Sequence, residues 1–300
     1  MTSLPAGSAH WTDSSTALRA SSVRSRVGFG ALNFFAWLPI RILDGAFFVM
    51  PSVDQYAASV VEKYVVTPDT GSPSHQAADS LIPLLKQWGK QYLQGITLSG
   101  AYAQGTAIGL SSQVDVLISL NPVPGMQMKN IFWSLFEFLS DRGLRPRTRN
   151  VTIQVPSNGM LVDLIPAYRD SAGNVLFNKR TGMQVRTDLA QHVHLISNSG
   201  RQREICALKI WRERKGLDFP SLYLELTVMR ALEDERFGQL ADNVITVLRY
   251  MAGRFEQALV RDPANGENIV SNDLKVEEKQ AIAKAAREAI YDENWKKIVW

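Results

Sequence analysis

Two aspartates of this chain lie in short apolar segments that have the composition of β-strands. Asp115 falls within Val114–Leu120 and Asp163 within Met160–Ile165, about fifty positions later, and several of their neighbours are β-branched. Runs of this length and composition predict strands. If the two strands are neighbours, their carboxylates can hold Mg²⁺ or Mn²⁺ against a phosphate group, as two-metal phosphoryl and nucleotidyl transfer requires.

A glycine-bearing turn precedes the first of these strands. The strand predicted over Ile96–Ser99 runs into Gly100 and Gly105, and a short helix is expected to begin near Thr106. Glycines in such a turn allow backbone N–H groups and a helix N-terminus to approach phosphate oxygens. Glycine turns before helices are common, but a turn joined to two aspartate-bearing strands predicts a nucleoside triphosphate site.

The periodicity of the chain predicts an α+β protein in two halves. In the first half, Val151–Val155 and Met160–Ile165 form a predicted strand pair. The helices predicted there are Asp54–Val66, a helix from near Ser80 to Leu93, and Met126–Arg142. After about Val185 the chain is predicted to be helical, over Leu189–Ser197, Arg203–Lys215, Leu222–Leu232, Asn243–Leu259 and Val276–Ala289. The ligand is expected in the cleft between the two halves.

Several motifs together resemble those of the cGAS/DncV-like and oligoadenylate-synthetase-like nucleotidyltransferases. The resemblance begins with the glycine turn and the Asp115 strand. It continues through LVDLIPA, ALKIWRERKGLDFPSLYLEL, DPAN and WKKIVW, and it covers roughly residues 54–300. It implies a polymerase-β-like nucleotidyltransferase core over residues 54–185, with a mixed sheet and flanking helices, and a C-terminal helical lobe over 186–300. It also implies Mg²⁺- or Mn²⁺-dependent joining of nucleoside triphosphates into cyclic or linear products, often as a bacterial antiviral signal. An effector or partner protein encoded alongside is a further expectation.

The resemblance assigns roles to individual residues of the first half. Gly100 matches the glycine of the family's GS pair, and Gly105 with Thr106 matches its GT pair. Asp115 matches the second metal-binding carboxylate, and Asp163 matches the third.

The resemblance also assigns roles to two residues of the second half, and the chain departs from the family pattern at two positions. Lys209 matches a lysine that meets the triphosphate, and Ser221 lies in a segment that often lines the nucleotide pocket. Gln113 stands where the family has its first metal-binding aspartate, and Ala101 stands where it has the serine of GS. A neutral amide is a poor bridging ligand for Mg²⁺, so the sequence predicts a weakened metal site and a large loss of rate.

Three functions follow from these residues. The first is a metal-dependent nucleotidyltransferase, and the second is a catalytically silent regulatory subunit that binds nucleotide or nucleic acid. The third is tRNA or poly(A) tail extension, which predicts tight, salt-sensitive RNA binding, although the chain offers only a modest formal charge of +4 and a pI near 9.1. The basic segment Arg142–Arg149 is a candidate contact for a nucleic-acid backbone. That segment is more ordinarily a solvated loop.

The remaining features of the sequence set the context. Cys206 is the single cysteine, which excludes a disulfide framework and a cysteine metal site and favours a cytoplasmic protein. Residues 1–25 have the composition of a poorly ordered leader within an extension over 1–53. The apolar stretch Val27–Ile40 predicts a helix packed on the body, with a peripheral membrane contact as the alternative.

Other residues of interest have plainer interpretations. His192 and His194 are expected to be packing or surface histidines, because no cysteine or third ligand lies nearby in the sequence. Glu225 is expected to be a structural partner one helical turn after Ser221. Trp211 is expected in the core, as are Trp295 and Trp300.

Overall fold

The computed structural model describes residues 52–291, apart from 67–68, 70, 111–112, 123 and 171–172, together with the backbone of 41–43 and 46–48. The chain divides into two compact units, Met1–Met50 and Pro51–Trp300. In the first unit, β1 (Arg41–Leu43) pairs antiparallel with β2 (Ala46–Phe48). The helix expected over 27–40, the leader over 1–25, and Trp295 and Trp300 lie outside the described residues.

The second unit is built around a seven-stranded mixed sheet. Its strands are β3 (Leu93–Leu98), β4 (Gln113–Leu120), β5 (Arg147–Thr148), β6 (Ile153–Ser157), β7 (Met160–Asp170), β8 (Gly173–Asn178) and β9 (Met183–Thr187). The order is β3-β4-β7-β6-β5, while β8 pairs with β7 and with β9. Only the β4–β7 pair is parallel among these strand pairs. The predicted mixed sheet is thereby confirmed, although β5, β8 and β9 were not predicted.

One face of this sheet is covered by three helices. These are α2 (Pro73–Asp79), α3 (Ile82–Gly89) and α5 (Met128–Ser140). In β4 every second residue is buried, and these residues share a core cluster with the three helices. The helix predicted from near Ser80 to Leu93 is confirmed at its start as α3, but it ends at Gly89, and Leu93 begins β3. A separate α2 begins with Pro73 after the Ser72 cap, and Pro83 lies in the first turn of α3.

The second part of the unit is mainly helical. Its helices are α6 (Leu189–Ser197), α7 (Gln202–Arg214), α8 (Ser221–Ala231), α9 (Leu240–Arg254) and α10 (Val276–Ile290). The five predicted helices are confirmed, although α9 ends earlier than expected. A hairpin of β10 (Arg261–Asp262) and β11 (Asn265–Ile269) interrupts the series and was not predicted.

The first helix of the unit, α1 (Val53–Tyr64), packs into the helical core although it precedes the sheet. Ala57 and Val61 are buried in one cluster with Trp211 of α7 and Val244 of α9. The full burial of Trp211 agrees with its predicted core position. Among the described helices, none is long and apolar enough to cross a membrane.

Candidate functional site

The two predicted aspartates lie side by side on the sheet. Strands β4 and β7 are parallel and in register, with Asp115 directly opposite Asp163 and Gln113 opposite Leu161. Side chains of directly opposed residues project to the same face. Val114 and Val162, which precede the two aspartates along their strands, point to the opposite face and are fully buried. The alternation of the strands therefore presents both carboxylates together.

The glycine turn meets this pair at Gly100. Its φ of +54° favours glycine, and a Cβ there would overlap with Oδ2 of Asp115 and lie 2.8 Å from its Cγ. The short helix of the turn, α4 (Gly100–Gln104), ends at Gly105, which has the left-handed conformation. The expectation that this helix begins near Thr106 is wrong, because Gly105 caps its C-terminus rather than preceding its N-terminus.

Asp115 is surrounded by groups that alter its protonation. Burial, with the neighbouring carboxylates of Asp163 and Glu225, raises the pKa of Asp115 to about 7, against the opposing influence of Lys209 and of a hydrogen bond from the Ala101 N–H. A neighbouring carboxylate disfavours the ionised form of an acid, which adds to the effect of burial on the pKa of Asp115. A cation between them would favour the doubly ionised form.

Asp163 is the more enclosed of the two, with 6% of its surface exposed. Burial raises the pKa of Asp163, although a hydrogen bond from Gln154 and the charge of Arg149 work against that rise. Nε2 of Gln154 donates to Oδ1 of Asp163 at 2.9 Å. Gln154 lies directly opposite Asp163 on the antiparallel strand β6. Sequence reasoning missed Gln154, because only the strand register reveals its position beside the carboxylate.

Lys209 connects the helical part of the unit to the turn. It is 2% exposed, and its Nζ donates to Oγ1 of Thr106 at 2.8 Å and pairs with Oε1 of Glu225 at 2.6 Å. The turn, α7 and α8 therefore meet at one buried ion pair. Glu225 is a structural partner as expected, but its partner is Lys209 on α7 rather than Ser221 on its own helix.

Arg212 is a further residue of this cleft. Its guanidinium donates to the carbonyl of Phe219 at 2.9 Å and to Oγ of Ser221 at 3.2 Å. One cavity brings together most of the predicted nucleotide-binding residues with Arg212; it is lined by Ala101, Tyr102, Thr106, Ala107, Ile108, Gln113, Lys209, Arg212 and Ser221. Sequence analysis did not single out Arg212, although its position one turn after Lys209 places both residues on one side of α7.

The donor atoms present fit one hard divalent cation better than two. Asp115 and Asp163 offer the carboxylate oxygens that Mg²⁺ and Mn²⁺ prefer. Within residues 52–291 as described, no group of three or more His, Cys, Asp and Glu side chains is close enough to hold a metal ion. The amide of Gln113, on the same strand as Asp115, is the third donor of the set and carries no charge. The set therefore lacks the charge of a full two-metal centre.

A second buried polar cluster lies at the end of the sheet. Nε2 of His192 lies 2.6 Å from Oδ1 of Asp262, and Oγ1 of Thr187 donates to Oδ2 of Asp262 at 2.9 Å. Burial opposes ionisation of Asp262, but the hydrogen bond and charge of His192, together with hydrogen bonds from the Ala264 N–H and from Asn268, lower the pKa of that carboxyl. His192 is thus a packing histidine and His194 a surface one, as expected. The cluster joins β9, α6 and the β10–β11 hairpin.

Comparison with known proteins shows which solved structures share this fold. Neither a protein-family profile nor a curated protein sequence matches the chain. Among solved structures, CdnC of E. coli MS115-1 with ATP has a TM-score of 0.64 at 19% identity, over 81% of this chain and 96% of that one. CdnC is also solved in complex with HORMA-deltaN.

Two other solved proteins have comparable similarity. The CD-NTase CdnG of Bradyrhizobium diazoefficiens in complex with GTP has a TM-score of 0.65 at 11% identity, over 80% of this chain and 90% of that one. The Cid1 poly(U) polymerase with Mg and 3′-dATP has a TM-score of 0.58 at 13% identity, over 82% and 97%. The chain therefore has the polymerase-β-like nucleotidyltransferase fold of the CD-NTases and of Cid1.

Proposed function

We propose that this chain binds a nucleoside triphosphate between the glycine turn and helices α7 and α8, and transfers its nucleotidyl group to an acceptor hydroxyl. The observation that carries the proposal is the direct opposition of Asp115 and Asp163 on parallel strands, with the Gly100 backbone against the first carboxylate. This places two hard oxygen donors beside a turn whose N–H groups suit phosphate oxygens. The ATP and GTP in the CdnC and CdnG structures support the same ligand class.

The roles of the side chains follow from their positions. Mg²⁺ or Mn²⁺ held by Asp115 and Asp163 would neutralise phosphate charge and polarise the attacking hydroxyl. The backbone from Gly100 to Thr106 cradles the triphosphate, and Lys209 with Ser221 holds it from the helical side. The hydroxyl oxygen bonds to the α-phosphorus and its proton passes to solvent, while the bond from that phosphorus to pyrophosphate breaks. Arg212 lines the same cavity and adds a second cation for the phosphates.

Gln113 limits this activity in the chain as written. It lies two residues before Asp115 on the same strand, so both side chains project to the same face. A neutral amide there removes one negative charge from the metal site. We expect a rate far below that of a chain with aspartate at this position, because Mg²⁺ selects charged oxygens in tight octahedral geometry.

A catalytically silent nucleotide- or nucleic-acid-binding subunit is the second candidate. The observation that favours it is the same neutral Gln113. In either case the natural setting we propose is cytoplasmic bacterial antiviral signalling, with a cyclic or linear nucleotide as product or ligand. A partner protein fits this setting, since CdnC is found with HORMA-deltaN.

Pyrophosphate release is the test that separates the two candidates. The chain and its Gln113→Asp variant are incubated with mixed NTPs or dNTPs and Mg²⁺ or Mn²⁺, and nucleotide-dependent thermal stabilisation is measured in parallel. Turnover that rises by orders of magnitude in the Gln113→Asp variant supports a transferase with a weakened metal site, because the added carboxylate restores a charged ligand.

The Asp115→Asn variant in the Gln113→Asp background is the matched control. It retains the shape of the site but removes the carboxylate opposite Asp163, so it should abolish turnover. If nucleotide stabilises the chain but none of the variants releases pyrophosphate, the silent subunit is supported. Neither turnover nor stabilisation with any nucleotide contradicts both candidates.

A further inference from the structure

The row of site residues does not end at the two carboxylates but continues to the edge of the sheet. Asp115 lies opposite Asp163, Asp163 lies opposite Gln154, and Gln154 lies opposite Arg147. Directly opposed residues share a face. The face that carries the candidate nucleotide site therefore runs across four strands to β5, the edge strand of the sheet.

This edge carries a concentration of positive charge. The segment 142–150 contains four arginines and no acidic residue, and all four arginines are exposed. Lys179 is a further exposed cation at this edge. Its backbone N–H donates to the carbonyl of Asn150 at 2.7 Å, and its Nζ donates to Oγ1 of Thr148 at 2.6 Å. Among the described residues, no carboxylate lies within ion-pair distance of Arg145 or Arg147.

The basic edge is continuous with the site rather than remote from it. Arg149 is close enough for its charge to lower the pKa of Asp163, and Gln154 bridges from β6 to the same carboxylate. Arg145, Arg147 and Arg149 are spaced two residues apart, which in an extended segment corresponds to about 6.6 Å between successive side chains on one side. Guanidinium groups spaced in this way suit a row of phosphates, which they bind with paired N–H donors.

We propose that the edge formed by Arg145, Arg147, Arg149 and Lys179 binds a single-stranded nucleic acid whose terminal hydroxyl lies at the Asp115–Asp163 pair. The proposal rests on the proposed function, because the terminal hydroxyl is the group that would receive the nucleotidyl group. It deepens that function by naming a polynucleotide as the class of acceptor. An acidic protein segment would satisfy the same charges. A nucleic acid is favoured because the row of side chains leads directly from the basic edge to the nucleotide site.

The test is binding of a fluorescently labelled single-stranded oligonucleotide, as RNA and as DNA, by anisotropy over a series of salt concentrations. The Arg145→Gln/Arg147→Gln variant should bind about tenfold more weakly. Its slope of log K against log salt should be smaller by roughly 1.4, because each lost phosphate contact on a single strand contributes about 0.7. RNA preferred over DNA would indicate contacts with the 2′-hydroxyl.

The matched control is Arg249→Gln/Arg254→Gln, which removes two exposed arginines from α9. It should leave the affinity and the salt slope close to those of the parent chain. Equal weakening by both variants, or by neither, would overturn the proposal. So would equally tight binding of a poly-glutamate peptide of matched charge, which would point to an acidic protein instead.

Thermal stabilisation by ATP and GTP, measured on the parent chain, separates this inference from the proposed function. Nucleotide stabilisation without oligonucleotide binding overturns the basic edge and leaves the triphosphate site intact. Oligonucleotide binding that depends on Arg145 and Arg147, with neither stabilisation nor turnover by any NTP or dNTP, supports the basic edge and overturns the proposed function.

Discussion

At the scale of single residues, the site depends on the absence of a side chain as much as on the carboxylates. Gly100 allows the turn to reach Asp115, because its φ is +54° and a Cβ would overlap with the Asp115 carboxylate. This close approach places the N–H of Ala101 on Asp115. The backbone of the turn and the first carboxylate therefore form one unit, which any side chain at position 100 would separate.

Gly100→Ala tests this contact against a control in the same turn. Gly105 also has a positive φ, of +71°, but nothing lies within 4 Å of a Cβ built there. Gly105→Ala should therefore lose about 1–2 kcal/mol of unfolding free energy from backbone strain alone. Gly100→Ala carries the same strain and in addition displaces Asp115, so it should lose more stability and also weaken nucleotide-dependent stabilisation. Urea unfolding with and without nucleotide measures both effects, and identical behaviour of the two variants would contradict this account of the turn.

At the scale of elements, the sequence predicted the strands that carry the carboxylates but not what surrounds them. Asp115 and Asp163 were predicted on strands because their neighbours in sequence are apolar and partly β-branched, a local pattern that indicates a strand. Gln154 and the Lys209–Glu225 pair were not found, because each depends on a register or a helix packing between distant segments. The end of α4 at Gly105 was also missed, since a glycine before Thr106 is compatible with either side of a helix.

The Lys209–Glu225 pair fixes α7 and α8 to the turn, and it can be tested as an element contact. Both side chains are at most 3% exposed, so removing either one leaves a buried charge without its partner. Lys209→Met should therefore cost about 3–5 kcal/mol of unfolding free energy. Lys209→Met combined with Glu225→Leu should recover part of that loss, because the second change removes the uncompensated carboxylate. Chemical denaturation of the single and double variants measures the coupling.

The exposed pair of Lys284 and Glu288 on α10 serves as the control for this cycle. These side chains lie 3.9 Å apart at i,i+4 spacing and are 73% and 65% exposed. Lys284→Met should change the unfolding free energy by less than about 0.5 kcal/mol, since solvent screens the pair. If Lys209→Met also changed the unfolding free energy by less than about 0.5 kcal/mol, the buried pair would not hold the helices to the turn.

At the scale of the whole molecule, α1 contacts both the sheet half and the helical half of the second unit, and we expect it to couple their unfolding. Its buried face belongs to the helical core, with Ala57 and Val61 packed in the cluster that contains Trp211. Its C-terminal end joins the site, because Val65 pairs with Ile108 and the N–H of Gly109 donates to the carbonyl of Tyr64 at 2.7 Å. A boundary near residue 185 thus separates the sheet half from the helical half along the chain, whereas α1 contacts elements of both halves.

Val61→Asp tests whether the two compositions unfold together. Val61 is 1% exposed, so an aspartate there would bury an unpaired charge and cost more than about 3 kcal/mol. Val53 begins the same helix at 51% exposure, and Val53→Asp should have little effect. If α1 couples the sheet to the helices, Val61→Asp shifts one cooperative transition, seen alike by tryptophan fluorescence and far-UV circular dichroism. Two separate transitions, of which only one moves, would mean that residues 54–185 and 186–300 fold independently. The nucleotide cleft would then lie between two domains free to move, rather than within one unit that the ligand stabilises as a whole.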